Sequence, residues 1–351
     1  MKIDSRGYAI IAAALFGASA PFSKLLLGDI PPLQLAGLLY LGSGTVLLLY
    51  KFIQIAFLKG GIEANLRKSD FPWLFGAVIS GGILAPAALM YGLSGTPAAT
   101  ASILLNFEAA ATTFLAVIFF REHIGKQVVA ALLLLTLACL VLAFDASGKF
   151  GFSVGALFVL LACILWGADN NFTRNISSKD PITIVIIKGI GAGTFSFVLS
   201  LLAGDKLPSL NHAVPALAVG GLCYGASLLF FILALRELGS IRASAFFTSA
   251  PFIGAGISFL ICKDAPTVQF FISLPFVVAG IFLLFRESHK HFHKHEIVEH
   301  DHVHTHSDEH HEHMHEMEDI ADGKEHSHKH KHDFIVHAHN HMPDIHHRHA
   351  H

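Results

Sequence analysis

Between Gly7 and Phe285 the chain is a succession of long apolar runs separated by short polar breaks. A helical run of ~20 residues crosses the ~30 Å hydrocarbon layer of a bilayer, and about ten such runs follow one another here. Hydrophobic residues make up 53% of the chain and charged residues 14%. No water-soluble core could hide so many runs, so the expectation is an all-α, polytopic membrane protein. Spans are expected at 7–27, 32–51, 71–93, 97–120 and 124–145, then at 152–173, 181–203, 213–236, 240–262 and 266–285. Turn chemistry separates them at Asp29-Ile30-Pro31-Pro32, Gly95-Thr96-Pro97, Asp145-Ala146-Ser147-Gly148, Asp180-Pro181 and Asp264-Ala265-Pro266.

The ten spans divide into two copies of one unit. Leu15-Phe16-Gly17-Ala18 through Phe22-Ser23-Lys24 is echoed by Leu165-Trp166-Gly167-Ala168 through Phe172-Thr173-Arg174. Further on, Phe119-Phe120-Arg121-Glu122 is matched by Ile261-Cys262-Lys263-Asp264. Two separated matches at nearly the same offset indicate duplication. Three regions follow: a first repeat over 1–148, a second over 149–285, and a tail over 286–351. Lys2 and Arg6 before an apolar run, with Ala18-Ser19-Ala20 behind it, imitate a signal peptide, but Pro21 would block cleavage.

Loop charges orient the chain. With the N-terminus in the cytoplasm, twelve lysines and arginines fall on inner segments, whereas the outer loops hold only Lys149, Lys206 and Lys263. That bias follows the positive-inside rule and places the tail in the cytoplasm as well. Five crossings are an odd number, so the second copy enters from the opposite side and the repeats are inverted. Small residues mark close helix contacts at Gly42/Gly44, Gly81-Gly82, Gly189-xxx-Gly193, Gly220-Gly221 and Gly254/Gly256. Pro86, Pro215, Pro251 and Pro275 lie inside spans, where they either kink the helix or release a carbonyl.

This pattern resembles the drug/metabolite transporter superfamily, EamA type. The resemblance rests on the duplicated aromatic-Gly-Ala blocks, Pro31-Pro32, the Glu108 region, Glu122, Ala250-Pro251-Phe252 and Asp264, and it covers roughly residues 7–285. It implies ten helices in two inverted repeats and transport of a small solute, commonly export of metabolites or amino acids. Two departures from the family pattern are Tyr40, where an arginine is frequent, and Ala109, where a proline is expected after Glu108.

Ionisable groups inside spans are costly, ~2.5–3.5 kcal/mol for a central carboxylate on insertion scales, and default to function. Glu108, with Asn106 beside it, is either a proton-coupling or substrate-contacting acid or a neutral packing group. Asp169, Asn170 and Asn171 lie near the cytoplasmic end of the sixth span, at the depth of Lys188 in the seventh. An Asp169–Lys188 ion pair there would serve as a structural latch or as a contact remade during gating. Lys24 either joins such chemistry or snorkels to the interface. Glu122 and Asp264 end equivalent helices and are either solvated loop acids or gate contacts. Trp73, Tyr91, Trp166 and Tyr224 line a cavity or anchor the interface. Cys139, Cys163, Cys223 and Cys262 form no CxxC pair and read as small hydrophobes.

The tail is a different material. Up to Phe285 there are 17 Lys and Arg against 12 Asp and Glu; beyond it there are 7 against 14, so the body carries +5 and the tail −7 of the net −2. Of 25 histidines, 23 lie in the tail. Alternating blocks are His289-His291-His293-His295, His300-His302-His304-His306, His326-His328-His330-His332 and His337-His339-His341. Paired variants are His310-His311-His313-His315 and His346-His347-His349-His351. With so few apolar residues the tail is expected to be disordered alone. Imidazoles with interleaved carboxylates suit Zn²⁺, Ni²⁺, Co²⁺ or Cu²⁺, and the absence of tail cysteines argues against a Cu(I) trap. A pH-responsive, solubilising tail is the alternative.

The expected function is therefore a secondary transporter of a small solute, not an enzyme, with a metal-binding tail and no required cofactor. The sequence holds no nucleotide-binding loop to drive an ATP-dependent pump. A divalent metal transporter and a non-transporting metal buffer or sensor are the alternatives. Expected partners are the lipid bilayer and the solute or ion, with no nucleic acid; a homodimer is left open.

Overall fold

The computed structural model describes residues 5–58, 65–120, 126–143, 153–176, 179–231, 234 and 249–285, with four tail stretches at 289–294, 299–304, 326–331 and 336–341. Up to Phe285 the described elements are helices. The first half comprises α1 (Ser5–Leu26), α2 (Pro32–Ile53), α3 (Lys68–Ser94), α4 (Ala98–Leu104), α5 (Phe107–Phe120) and α6 (Lys126–Ala143). The second comprises α7 (Val154–Arg174), α8 (Pro181–Leu202), α9 (Leu210–Phe231), α10 (Ala250–Ile261) and α11 (Val268–Phe285). Among the described residues, seven helices are long and apolar enough to span a membrane, and three shorter apolar helices accompany them. Phe52, Leu202 and Leu260 are 72%, 79% and 82% exposed, the outward apolar surface a lipid environment requires.

Local chemistry sets the helix starts. Pro31 and Pro32 open α2, where a missing N–H costs nothing. Asp180 caps α8 by accepting from the Ile182 and Thr183 backbone N–H groups at 3.0 and 3.4 Å. The fourth expected span, 97–120, is present as one of the seven, but it is interrupted within and divides into α4 and α5. The Asn106 side chain donates to the Ile103 carbonyl at 3.0 Å, and the Leu104 carbonyl faces the Cys163 thiol at 3.6 Å, so the ladder breaks at Leu105-Asn106.

The halves interlock across α2 and α8. Gly37 lies against Phe197 and Gly193, while Gly44 lies against Gly189 and Ile190, so the two helices run antiparallel. A Cβ on Gly44 would stand 2.7 Å from the Ile190 backbone nitrogen, and one on Gly193 would stand 2.5 Å from that of Leu41. Because α2 and α8 occupy equivalent places in the two halves, their opposed directions mean that the halves are inverted. The remaining contacts obey the same exchange: α1 packs on α9 and α10, as α7 packs on α3 and α5. The last helices of the halves, α6 and α11, pack on each other.

In the tail, β1 (His289–Lys294) pairs antiparallel with β4 (Val336–His341), and β2 (Glu299–His304) with β3 (His326–Lys331). The expectation of a tail without fixed structure otherwise falls on residues outside this description.

Candidate functional site

The construction of the site begins with a wide turn in α3. Over Val78–Leu84 the helix takes π geometry, and the Ala85 N–H reaches back five residues to the Ser80 carbonyl. Pro86 follows immediately and has no N–H to offer. The Gly81 carbonyl, which a regular helix would have satisfied from Ala85, is released instead. It accepts from the Tyr40 hydroxyl at 2.5 Å and from Trp166 Nε1 at 3.2 Å. A π-bulge at mid-membrane is tolerated because side chains of α2 and α7 re-satisfy the freed group. The second half carries its own π segment at Gly220–Ala226, again over a Gly-Gly pair.

Asp169 stands beside that turn. A Cβ on Gly81 would fall 1.9 Å from its Oδ2, so only glycine leaves room for the carboxylate. Lys188 Nζ donates to both carboxylate oxygens at 2.7 and 2.6 Å, and Thr173 Oγ1 donates to Oδ1 at 3.0 Å. Asp169 is 5% exposed, so the pair is desolvated and held by fixed geometry rather than by water. At the matching position of the first half stands Ser19, also buried. The polar centre is thus asymmetric within a symmetric scaffold.

Aromatic rings gather around the Gly81 carbonyl, next to this pair. Phe16 meets Trp166 and Tyr224 edge-on, with centroids 6.4 and 6.2 Å apart, and Tyr40 lies 5.8 Å from Tyr224. Of the four aromatic residues singled out in the sequence, Trp166 and Tyr224 are interior. Trp73 and Tyr91 are 39% and 46% exposed and pack outside, against Phe172 and Phe158.

Glu108 lies in the first turn of α5, just beyond the helix break. Asn170 Nδ2 donates to its Oε1 at 2.9 Å and to Thr112 Oγ1 at 3.1 Å. Its carboxylate reaches α7 through Asn170, the residue next to Asp169. Asn171 has a different place: its side chain donates to the Thr112 and Gly167 carbonyls at 3.0 and 2.8 Å, stapling α7 to α5. Asn106 is spent on the break itself.

Lys24 and Asp264 lie at the membrane face away from the N-terminus. Lys24 donates to the Leu93 and Ser94 carbonyls, the last of α3, where a cation also complements the helix dipole. Asp264 accepts from the Ala99 N–H at 3.0 Å, capping the start of α4. Both ends of the α3–α4 hairpin are therefore held by residues from the ends of α1 and α10. Glu122 falls outside the described residues. On the opposite face Lys51 bonds Asp180 at 2.5 Å and also Thr183. Burial alone would raise the Asp180 carboxyl, but the hydrogen bonds from Lys51 and Thr183 and the Lys51 charge outweigh it and hold it below the ordinary value of 3.8. Sequence reading saw Asp180 only as a turn residue. It missed the Gly81 carbonyl altogether, although Gly81-Gly82 ahead of Pro86 is its signal.

Among the described residues, no group of three His, Cys, Asp or Glu side chains could hold a metal ion. The tail side chains lie outside that description.

Comparison with known proteins agrees with this architecture. The EamA-like transporter family profile matches twice, at residues 7–144 and 153–286. An uncharacterised transporter of Methanothermobacter thermautotrophicus is 25% identical over 270 residues, covering 73% of this chain and 78% of that protein. A probable amino-acid metabolite efflux pump of Salmonella typhimurium is 24% identical over 242 residues, covering 66% and 74%. A crystal structure of a protein 17% identical in sequence superposes with a TM-score of 0.58, covering 80% of this chain and 96% of its own.

Proposed function

This chain belongs to the EamA-like transporter family, and on that premise we propose that it is a secondary transporter exporting a small amino-acid- or metabolite-type solute by alternating access. It is an integral membrane protein, and its relatives are named as transporters rather than enzymes. The observation that carries the reading is the Asp169–Lys188 pair of the second half, set against Gly81 of the first half beside a cluster of aromatic rings. A zwitterionic solute can exchange its own ammonium and carboxylate for the two partners of such a pair, and the rings supply the apolar wall. Glu108, with Asn170 on it, is the coupling acid: it sits beside the pair, and a proton taken or given there changes the charge the pair sees.

In this scheme Lys24 and Asp264 hold the outer mouth shut by fixing the α3–α4 hairpin. Glu122 has the equivalent place in the first repeat and is assigned the equivalent role at the inner mouth. The N- and C-termini are cytoplasmic, in line with the loop charges. No cofactor is required. The tail binds Zn²⁺, Ni²⁺, Co²⁺ or Cu²⁺ through its histidines and buffers or regulates at the inner face. The test is uptake into proteoliposomes, with an imposed proton gradient, of amino acids, other metabolites and divalent metals. Movement of an amino acid or metabolite that Asp169→Asn and Glu108→Gln abolish supports the reading. Transport of a divalent metal alone, or of nothing in the panel, overturns it.

A further inference from the structure

Two tyrosines stand in the aromatic cluster, and only one of them uses its hydroxyl. Tyr40 donates to the Gly81 carbonyl at 2.5 Å. Tyr224 has its ring 5.8 Å from that of Tyr40 and 6.2 Å from that of Phe16. It is 9% exposed, and its hydroxyl is closed off from solvent with no hydrogen-bond partner. Ser19 faces it from α1, but no hydrogen bond closes between them. Phe16, Ser19 and Ser23 follow at i, i+3 and i+7 on one face of α1, and the Ser23 hydroxyl is likewise buried and unpartnered. Other buried hydroxyls in these spans are bonded: Ser227 donates to the Ala12 carbonyl at 2.9 Å, and Ser258 and Ser273 donate to the Gly254 and Phe270 carbonyls at 2.8 Å. Phenylalanine, used 30 times in this chain, would pack in the cluster as well as Tyr224 does without a hydroxyl to desolvate. A buried hydroxyl with nothing to bond costs stability, so its presence here calls for a partner from outside the chain.

The duplication shows where that partner belongs. Ser19 holds the place in the first half that Asp169 holds in the second, and Leu39, the eighth residue of α2, holds the place of Lys188, the eighth of α8. One pole of the centre is therefore an ion pair and the opposite pole is neutral and hydroxyl-bearing. Tyr40 joins the two: its hydroxyl is on Gly81, against which Asp169 sits, and its ring lies on Tyr224. We propose that Tyr224, with Ser19 beside it, is the specificity-determining group for the solute's side group, selecting an amino-acid-type solute with a neutral hydroxyl or amide over an aliphatic one. The proposal rests on the reading that such a solute meets the Asp169–Lys188 pair, and it goes further by naming what the rest of the solute must offer. Asp169 and Lys188 take the charged ends, which leaves the side group toward the hydroxyl pole. Phenol and serine hydroxyls both donate and accept, so either a donor or an acceptor on the solute satisfies them. An aliphatic side group would seal the Tyr224 hydroxyl against carbon and keep it unbonded, which is how a hydrogen-bonding site rejects an apolar isostere.

The experiment measures proteoliposome transport of two pairs matched in shape, threonine against valine and asparagine against leucine. The full chain is compared with Tyr224→Phe, and the unfolding midpoint of each protein is recorded. The native protein should favour the polar member of at least one pair tenfold or more in kcat/KM, and Tyr224→Phe should bring that ratio close to one. The midpoint of Tyr224→Phe should not fall below the native value, since the hydroxyl has no bond to lose. Native transport without preference, or a preference that survives Tyr224→Phe, would overturn the proposal while leaving amino-acid export intact. A Tyr224→Phe protein that fails to fold or unfolds several degrees early would also overturn it, because the hydroxyl would then hold a structural bond. Transport of none of the four amino acids would overturn it too; if no other metabolite moves either, the export reading falls with it.

Discussion

Replacing Lys188 by methionine isolates the energetics of the central pair. Methionine keeps most of the apolar stem and removes the ammonium that bonds both Asp169 oxygens at 2.6 and 2.7 Å. The carboxylate then keeps only the Thr173 hydroxyl at 3.0 Å while remaining 5% exposed. Stripping one partner from a buried pair costs ~3–5 kcal/mol, whereas replacing both partners is close to neutral. At ~2–4 °C per kcal/mol for a unit of this size, Lys188→Met should lower the unfolding midpoint by roughly 10 °C. Asp169→Asn combined with Lys188→Met should recover most of that loss. The assay is thermal unfolding of detergent-solubilised protein followed by size-exclusion, alongside proteoliposome uptake of the native solute. The double variant should fold yet not transport. A Lys188→Met protein as stable as the native one would refute the energetic argument, and full transport by the double variant would reduce the pair to a latch.

Further outcomes are expected. Glu108→Gln should impair proton-coupled uptake more than Glu122→Gln; equal rates in the two would remove the coupling role from Glu108. Tyr40→Phe and Trp166→Phe should each cost about 1 kcal/mol, and the double variant more than their sum, because only then is the buried Gly81 carbonyl left bare; the unfolding midpoints of the three proteins decide it. Gly44→Leu should destabilise by at least ~1–3 kcal/mol, since its side chain would enter the Ile190 backbone, and solubilised yield against midpoint will show it. The depressed Asp180 carboxyl contributes stability that is fully present above its unfolded value of 3.8 and is lost as pH falls through its lower folded value. Lys51→Ala should therefore flatten the acid limb of a stability–pH curve below about pH 4, and an unchanged limb would deny the Lys51 contact its role.

The parts of this fold that depend on length and polarity could be read from the chain. Apolar runs gave the spans, and the echo of Leu15–Lys24 in Leu165–Arg174 gave the duplication. The proximity of Asp169 and Lys188 followed from their similar depth on adjacent spans. What could not be read depends on where a backbone group finds its partner. The break at Leu105-Asn106 lies in a stretch with no proline or glycine between Ala98 and Phe120 to announce it, and arises because one asparagine competes for a carbonyl. Lys24 has the composition of a snorkelling residue, yet it is committed to the end of α3, which only the tertiary contact reveals. Trp73 and Trp166 are equivalent as letters, and packing alone sends one outward and the other to the Gly81 oxygen.

The paired wide turns, Val78–Leu84 in α3 and Gly220–Ala226 in α9, give each of those two helices one residue of slack. Moving that slack one step along its rod would re-aim by about 100° only the residue it passes, without sacrificing the rest of the ladder. Since the two rods point in opposite senses, a step that re-aims a side chain in one half has a mirror operation available in the other. Sequence drift is constrained accordingly. A deletion of a single residue within either glycine-rich turn would tighten it into ordinary spiral, hide the Gly81 oxygen, and freeze the rod at one setting.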